Sequence, residues 1–320
     1  LGHDVANVAL RLPLALVPVE GLDLVRIADR LEQELRRIFD GIDVVATTVG
    51  PYRRYGYELA KACAEQGVDY VDLCGETPFI RRCIDELSEA AQQSGARLVH
   101  ACGFDSIPSD LGVLALDQAL QAEGLGPLAD ARLTVTRLKG GLSGGTFASM
   151  MALVKDAVSD RDVRRILAHP YSLNPVEQRI GPRIRDRSTA RFDDDHQRWT
   201  APFLMAGINT RVVRRSRSLF GASMNDFSYD EAVACRSQWQ ARTMSAGIKA
   251  FTLSAVLPPS RWLIGQFVPK PGQGPSQQQR KNGCFEMQIV GRNHAQGPEV
   301  GRITVGAQGD PGYSRTAVML

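Results

Sequence analysis

The sequence predicts a doubly wound parallel α/β sheet followed by a second, mixed α+β domain. Over residues 12–126, short apolar runs alternate with segments of helical periodicity. Two loops that follow such runs, at 47–52 and 102–110, are rich in glycine, proline and hydroxyl side chains. Ligands of open α/β sheets bind at the carboxyl ends of the strands, so we expect a small-molecule site at these loops.

Each element of the first domain follows from periodicity and from the turn residues beside it. Apolar runs predict strands at 12–19, 42–49, 69–73 and 98–101, and apolar residues at helical spacing predict helices at 24–38, 55–66, 78–94 and 111–122. Gly67 and Gly95 are expected to end two of these helices, because glycine readily adopts the left-handed conformation.

The pattern changes near Pro127. Strand-like runs follow at 132–138, 208–213, 227–235, 284–291 and 300–306, whereas 140–146 predicts a flexible link into a helix and 174–200 an irregular segment. We therefore expect a partial dinucleotide-binding domain at 1–126, an α+β domain for substrate binding or oligomerisation at 127–312, and the start of a carboxy-terminal helix at 313–320.

Composition excludes several classes of protein. The chain has 320 residues, 43% hydrophobic and 23% charged, with a net charge of +3. These values are typical of a soluble globular protein, and the charge is too small to indicate a nucleic-acid partner. The six cysteines form no CxxC pair, so we expect no metal site. With no secretory signal, the prediction is a cytoplasmic protein.

One segment could contact a membrane. Residues 246–268 are largely apolar, but Lys249, Pro258, Pro259 and Arg261 interrupt the run, which is too broken for the about 18–20 residues of a membrane span. Two interpretations stay open: a peripheral hairpin that touches lipid, and a helix packed into a domain or homodimer interface.

The glycine-rich start of a Rossmann-like sheet is missing. Such a sheet normally begins with a strand, a GxGxxG turn and a helix that bind the pyrophosphate. No such motif precedes Leu12, and the chain begins at Leu1 and ends within a helical pattern. We therefore expect a fragment without the first βαβ unit. The glycines at 140–146 lack the GxGxxG spacing.

Several ordered motifs resemble one family. They are TTVGPY at 47–52, GFDSIPSD at 103–110, SGGT at 143–146 and NTRVVRRS at 209–216. Together they resemble the saccharopine dehydrogenase-like oxidoreductases, and most closely the trans-acting enoyl reductases of polyketide-lipid synthesis. The resemblance covers nearly all of the chain from Leu12 onward. Cys74 departs from it, because a threonine is expected there.

The resemblance implies an NAD(P)-dependent enzyme that reduces an enoyl C=C bond. Its substrate would be a lipid or polyketide intermediate, free or carried by a synthase, and a polyketide synthase or a membrane surface would be its partner. Two alternatives stay open. One is a non-catalytic member that binds lipid or a synthase. The other is a saccharopine-type amino-acid dehydrogenase, in which Arg211, Arg214 and Arg215 would bind an amino-dicarboxylate.

The resemblance also assigns the site residues. The predicted cofactor-binding residues are Thr48, Val49, Gly50, Pro51, Gly103, Phe104, Asp105 and Ser106. Tyr52 would donate a proton or be a packed aromatic side chain, with even weight on both. Asp105, the second catalytic candidate, and Ser106 would bind the nicotinamide carboxamide or cap the following helix. Asp110 carries the same two alternatives.

Three neighbouring residues have simpler predicted roles. Glu76 would orient substrate or, as we favour, be an acid in the first turn of the helix that starts near Pro78. His100 is predicted to be a satisfied core or edge histidine rather than a general acid. Cys102 is not expected to be a nucleophile.

Overall fold

The described part of this computed structural model comprises residues 39–140, 144–179, 186–220, 227–256, 274–294 and 297–320. The strand and helix predicted before residue 39 lie outside it, as do residues 257–268 of the largely apolar segment 246–268. Residues 41–320 form one compact unit. The domain boundary near residue 127 stays a prediction.

The first half alternates strand and helix as predicted. Three strands form a parallel sheet in the order β1, β2, β3, with bounds Val44–Thr47, Asp69–Asp72 and Leu98–Val99. The helices that follow them are α1 (Tyr52–Tyr55), α2 (Tyr57–Gln66), α3 (Thr77–Ser94) and α4 (Ile107–Ala122). Parallel strands joined by helical crossovers confirm the α/β class.

Turn residues account for the ends of these helices. Gly67 and Gly95 have φ of 75° and 84° and close α2 and α3 in the left-handed conformation, as predicted. Helix α4 begins at Ile107, four residues before the predicted start. Pro108 lies in its first turn, where no amide hydrogen is needed, so the proline extends the helix toward the loop.

The second half contains a mixed six-stranded sheet in the order β5-β6-β7-β4-β8-β9. Its strands are β4 (Asp130–Lys139), β5 (Arg191–Asp193), β6 (Arg198–Pro202), β7 (Ser228–Cys235), β8 (Cys284–Arg292) and β9 (Gly301–Gln308). Strand β4 pairs parallel with β7 and antiparallel with β8, which confirms a mixed second half.

The remaining helices are α5 (Gly144–Ser159), α6 (Arg161–Ala168), α7 (Ala206–Leu219), α8 (Gln238–Val256), α9 (Gln277–Lys281) and α10 (Thr316–Met319). A 3₁₀ turn covers Val176–Gln178, and a π-helical turn covers Pro311–Arg315. Within the described ranges, no helix has the length and apolar character needed to cross a membrane.

Two secondary-structure predictions were wrong. The segment 208–213 is not a strand but lies inside α7. Its β-branched residues resemble a strand locally, yet the buried Arg211, Arg214 and Arg217 recur at helical spacing. Their guanidinium groups donate to main-chain carbonyl oxygens of Leu167, Tyr229 and Leu128 at 2.8–3.0 Å. The segment 174–200, predicted to be irregular, contains β5 and the start of β6, whose pairing depends on distant β7.

Helix α4 connects the two sheets. It begins at the loop after β3, and its buried face packs on β8 and β9. A Cβ atom on Gly112 would lie 2.6 Å from Cδ1 of Ile289, and one on Gly291 would lie 2.9 Å from Cδ2 of Leu116. The helix and the sheet therefore approach too closely for larger side chains at these two positions.

Candidate functional site

The three loops that follow the parallel strands meet at one edge of the sheet. We call them the carboxyl-edge loops: residues 48–51, 73–76 and 100–106. The Tyr52 hydroxyl donates to the carbonyl oxygen of Thr47 at 3.2 Å and accepts from the Leu73 amide at 3.3 Å. Oδ1 of Asp72 accepts from the Ala101 amide at 3.0 Å. The structure therefore brings the two motif loops of the sequence together.

Tyr52 is a buried, fully engaged side chain. Its ring packs 5.8 Å from that of Phe79, and burial, reinforced by the charge of Asp72, raises the pKa of Tyr52 well above its usual range. Its hydrogen bonds favour the packed aromatic of our two interpretations. Proton donation by Tyr52 stays a prediction.

The first carboxyl-edge loop is open on one side and closely packed on the other. Thr48 is exposed and Val49 is 52% exposed. A Cβ atom on Gly50 would lie 2.8 Å from Oγ of Ser149 in α5, so a larger residue here would have to displace that hydroxyl group. The peptide bond between Gly50 and Pro51 is cis.

Glu76 stabilises the start of α1. Its Oε1 accepts from the Tyr52 amide at 2.8 Å and its Oε2 from the Arg53 amide at 3.0 Å. Our favoured prediction makes Glu76 an acid in the first turn of the helix at Pro78. This prediction was wrong, because the carboxylate binds the start of α1. The carboxylate binds the free amides of a neighbouring helix instead.

Asp72 was not singled out from the sequence. It is fully buried, its Oδ1 also accepts from the Cys74 amide at 2.9 Å, and its Oδ2 lies 2.7 Å from Nδ1 of His100. His100 is therefore a satisfied histidine, as predicted, although β3 ends one residue before it. Burial raises the pKa of the Cys102 thiol to about 11, which disfavours the thiolate that a nucleophile needs.

Gly103 and Phe104 hold the third loop against the second half of the molecule. A Cβ atom on Gly103 would lie 3.1 Å from Cδ2 of Leu73 and 3.2 Å from Cγ2 of Thr316. The Phe104 amide donates to Oγ1 of Thr316 at 3.1 Å, and its ring packs 4.8 Å from that of Phe285. The Phe104 side chain is therefore part of the core.

Asp105 differs from its neighbours. The residue is partly exposed, and its side chain makes no hydrogen bond or ion pair with any residue in the described ranges. Burial of the carboxyl group raises its pKa to about 6, and no charged group among the described residues contributes to this shift. Asp105 is therefore a carboxyl group that can exchange a proton near neutral pH.

Ser106 occupies the position before α4 without capping it through its side chain. Its hydroxyl donates to Oδ1 of Asn209 at 3.1 Å. The capping alternative is therefore wrong for Ser106. Asn209 belongs to the motif at 209–216, but no role was predicted for it. Asp110 lies in the first turn of α4 and accepts from the Ser216 hydroxyl at 2.8 Å; burial raises its pKa.

The arginines proposed for an amino-dicarboxylate have internal partners. Nη1 of Arg211 lies 2.6 Å from Oδ2 of Asp186. Arg214 is fully buried, and Arg215 donates to the carbonyl oxygen of Leu173 at 2.7 Å. These contacts argue against the saccharopine-type alternative.

Comparison with known proteins decides the family. A protein named as a trans-acting enoyl reductase in Mycobacterium tuberculosis (strain ATCC 25618 / H37Rv) is 42% identical over 293 residues, covering 87% of this chain and 69% of that protein. The chain belongs to the trans-acting enoyl reductase family. The resemblance to this family is thereby confirmed, and the protein is an oxidoreductase.

Further trans-acting enoyl reductases are similar at lower identity. Those of Mycobacterium bovis (strain BCG / Pasteur 1173P2) and Mycobacterium ulcerans (strain Agy99) are 36% identical, covering 76% of this chain and 62% of each relative. No protein-family model matches the chain. A solved amine dehydrogenase from Mycobacterium smegmatis aligns with a TM-score of 0.34 at 13% identity, over 89% of this chain and 72% of that chain, which is too distant to bear on function.

Proposed function

We propose that this enoyl reductase uses NAD(P)H to reduce the conjugated C=C bond of an acyl substrate, and that Asp105 supplies the proton. One observation carries the assignment of the proton. Asp105 is a partly exposed residue at the carboxyl edge of a parallel sheet, its carboxyl group has no described partner, and burial raises its pKa to about 6. Family membership supplies the reaction class.

The carboxyl-edge loops fit a nicotinamide cofactor. Thr48 and Val49 leave an exposed surface at the end of β1, and Gly50 and Pro51 present no long side chain there. Across the edge, an ionised Asp105 can accept a hydrogen bond from a carboxamide group. When bound, the cofactor supplies the hydride. We infer that Thr48, Val49, Gly50, Pro51 and Gly103 hold it, while Phe104 and Ser106 fix the turn. Carboxamide binding is the alternative role of Asp105.

The environment of Asp105 suits it to proton transfer. An acid transfers protons most effectively when its pKa is close to the working pH. Burial raises the pKa of Asp105, and no cation among the described residues holds the carboxylate in its charged form. Because Asp105 is a partly exposed residue, we expect its proton to be replaced from solvent after each turnover.

The test replaces Asp105 with asparagine in the full-length protein. NAD(P)H oxidation is followed with an enoyl thioester, and cofactor affinity is measured by calorimetry. We expect kcat to fall by about 10²–10⁴-fold, the usual contribution of a general acid, while Kd for the cofactor changes little. Asp117→Asn is the matched control, because Asp117 lies in α4 toward its other end and is bonded to the Leu128 amide at 2.8 Å.

The outcomes separate the two roles of Asp105. A lower cofactor affinity with unchanged kcat would assign Asp105 to carboxamide binding. Unchanged kcat and Kd would contradict both roles. In the wild type, kcat/KM should fall as pH rises through about 6, because the protonated acid is then lost.

The partners are proposed from the family name. "Trans-acting" in the names of the relatives indicates a reductase that is separate from the synthase it serves. We infer a substrate bound to the carrier of a lipid or polyketide synthase. Mixing the protein with an isolated carrier loaded with an enoyl chain should raise kcat/KM above that for the free thioester; equal values would argue against carrier recognition.

Peripheral membrane contact is a second proposal, supported by α8. Trp239 and Leu253 on this helix are 76% and 68% exposed. Liposome flotation should decrease when both are replaced by serine. Flotation of a protein without reductase activity would favour the non-catalytic alternative. Cytoplasmic location and a homodimer stay predictions.

A further inference from the structure

Buried polar side chains connect the third carboxyl-edge loop to the second sheet. Ser106 donates to Oδ1 of Asn209 at 3.1 Å, and Nδ2 of Asn209 donates to Oε2 of Glu231 at 2.9 Å. The Tyr229 hydroxyl donates to Oε1 of the same carboxyl group at 2.7 Å. All four side chains are buried, and Asn209 and Glu231 are 0% exposed. Their hydrogen bonds must therefore be made within the protein.

The charge on Glu231 determines which group donates and which accepts in each of these hydrogen bonds. An ionised carboxylate only accepts hydrogen bonds, so Asn209 must turn its Nδ2 toward Glu231. Oδ1 of Asn209 then faces Ser106, and the Ser106 hydroxyl must donate. Each group consequently has one orientation as long as Glu231 is charged.

Ser106 transmits this constraint to the turn that carries Asp105. Its amide donates to the carbonyl oxygen of Gly103 at 3.1 Å, and its carbonyl oxygen accepts from the Asp110 amide at 2.9 Å. The Ser106 main chain therefore joins the turn to the first turn of α4. Asp105 lies between Gly103 and Ser106 in this turn. No residue in the described ranges makes a hydrogen bond or ion pair that would hold its side chain in another position.

We propose that Asn209 and Glu231 are positioning residues, which hold Ser106 and thereby place the Asp105 carboxyl group for proton transfer. This inference rests on the proposed function of Asp105. A buried carboxylate is expensive unless it is well hydrogen-bonded, and an apolar contact would pack this interface at lower cost. A positioning role explains why hydrogen-bonded polar side chains, and not an apolar contact, occupy this interface.

The first test measures the turn without using activity. Hydrogen exchange of the peptide that contains residues 103–110 is compared in the wild type, Asn209→Ala and Ser106→Ala, above the pKa of Glu231, which burial raises to about 7. Loss of one typical buried hydrogen bond should speed exchange by about fivefold to tenfold. The double variant should exchange no faster than Asn209→Ala, because both changes remove the same link.

Asp117→Asn is the control for general loosening, because Asp117 is another buried carboxylate that joins α4 to α7, through an ion pair with Arg217 at 3.1 Å. It should leave exchange at 103–110 at the wild-type rate. Wild-type exchange in Asn209→Ala, or additive effects in the double variant, would overturn the proposal. Equal exchange in Asn209→Ala and the control would also overturn it.

The second test measures catalysis. Asn209→Ala should lower kcat by about tenfold and leave KM for the cofactor little changed, and Asn209→Gln should not restore it, because the longer amide cannot keep both bonds. Inactive wild-type protein with the expected exchange pattern would contradict the proposed function but not the positioning of the turn. Active wild-type protein with unaltered exchange in Asn209→Ala would contradict the positioning of the turn but not the proposed function.

Discussion

Replacing Glu231 with glutamine should change how stability depends on pH. Burial raises the pKa of Glu231 to about 7 from an ordinary value of 4.5. The folded chain therefore binds more protons than the unfolded chain between these two values. The free energy of unfolding must then fall as pH rises through this window. At about 1.4 kcal/mol per pH unit, the buried charge costs about 3 kcal/mol above pH ~7.

Glutamine removes this titration while keeping the size of the side chain. Near the lower end of the window, protonated Glu231 and glutamine have similar hydrogen-bonding groups, so stability should agree within about 1 kcal/mol. Above the upper end, Glu231→Gln should be about 2 kcal/mol more stable, after allowance for a weakened bond from Tyr229 or Asn209.

Urea denaturation at a series of pH values measures this difference. The curve of unfolding free energy against pH should be flatter for Glu231→Gln than for the wild type. Asp117→Asn, the control, should keep the wild-type contribution of Glu231 because that residue is intact. Parallel curves for the wild type and Glu231→Gln would refute the reasoning, since they would mean that Glu231 titrates alike in the folded and unfolded chains.

Three further substitutions test the packing of the site by urea denaturation. Tyr52→Phe loses the hydroxyl bonds to the Thr47 carbonyl oxygen and the Leu73 amide and should lower the free energy of unfolding by about 1–2 kcal/mol. An unchanged midpoint would mean that water replaces them. Glu76→Gln weakens the cap on α1 and should lower the free energy of unfolding by about 1 kcal/mol. An unchanged free energy would mean that the two amides find other hydrogen-bond acceptors. Gly112→Ala should lower the free energy of unfolding by about 1–3 kcal/mol. Adding Ile289→Val should restore most of this loss, because valine lacks the side-chain carbon nearest to the new Cβ atom. Gly207→Ala is the control and should cause no loss, because nothing lies within 4 Å of its Cβ position.

Local signals account for what the sequence predicted correctly. The parallel sheet follows from alternating runs, and Gly67 and Gly95 mark the helix ends through their own backbone preferences. The two motif loops could be placed together because strands of one parallel sheet end at the same edge. Helix α7 was missed because a short β-branched run outweighed the spacing of its arginines, whose burial is a tertiary effect.

The partners within the site could not be predicted. Glu76 binds an amide 24 residues away in the chain, and Ser106 binds Asn209 across 103 residues. Neither contact leaves a spacing in the sequence that periodicity detects. Asp105 was a candidate from its motif, but only the folded chain shows that it lacks a described partner while its neighbours Ser106 and Asp110 are bonded.

The contact between Thr316 and the Phe104 amide links the helical turns at 311–319 to the loop that carries Asp105. Thr316 Oγ1 also donates to the carbonyl oxygen of Pro311 at 2.9 Å, so its position depends on the π-helical turn before it. Removing the chain after residue 312 would leave a buried amide without an acceptor one residue before Asp105. If Asp105 transfers the proton as proposed, we expect a chain shortened in this way to lose turnover before it loses its fold.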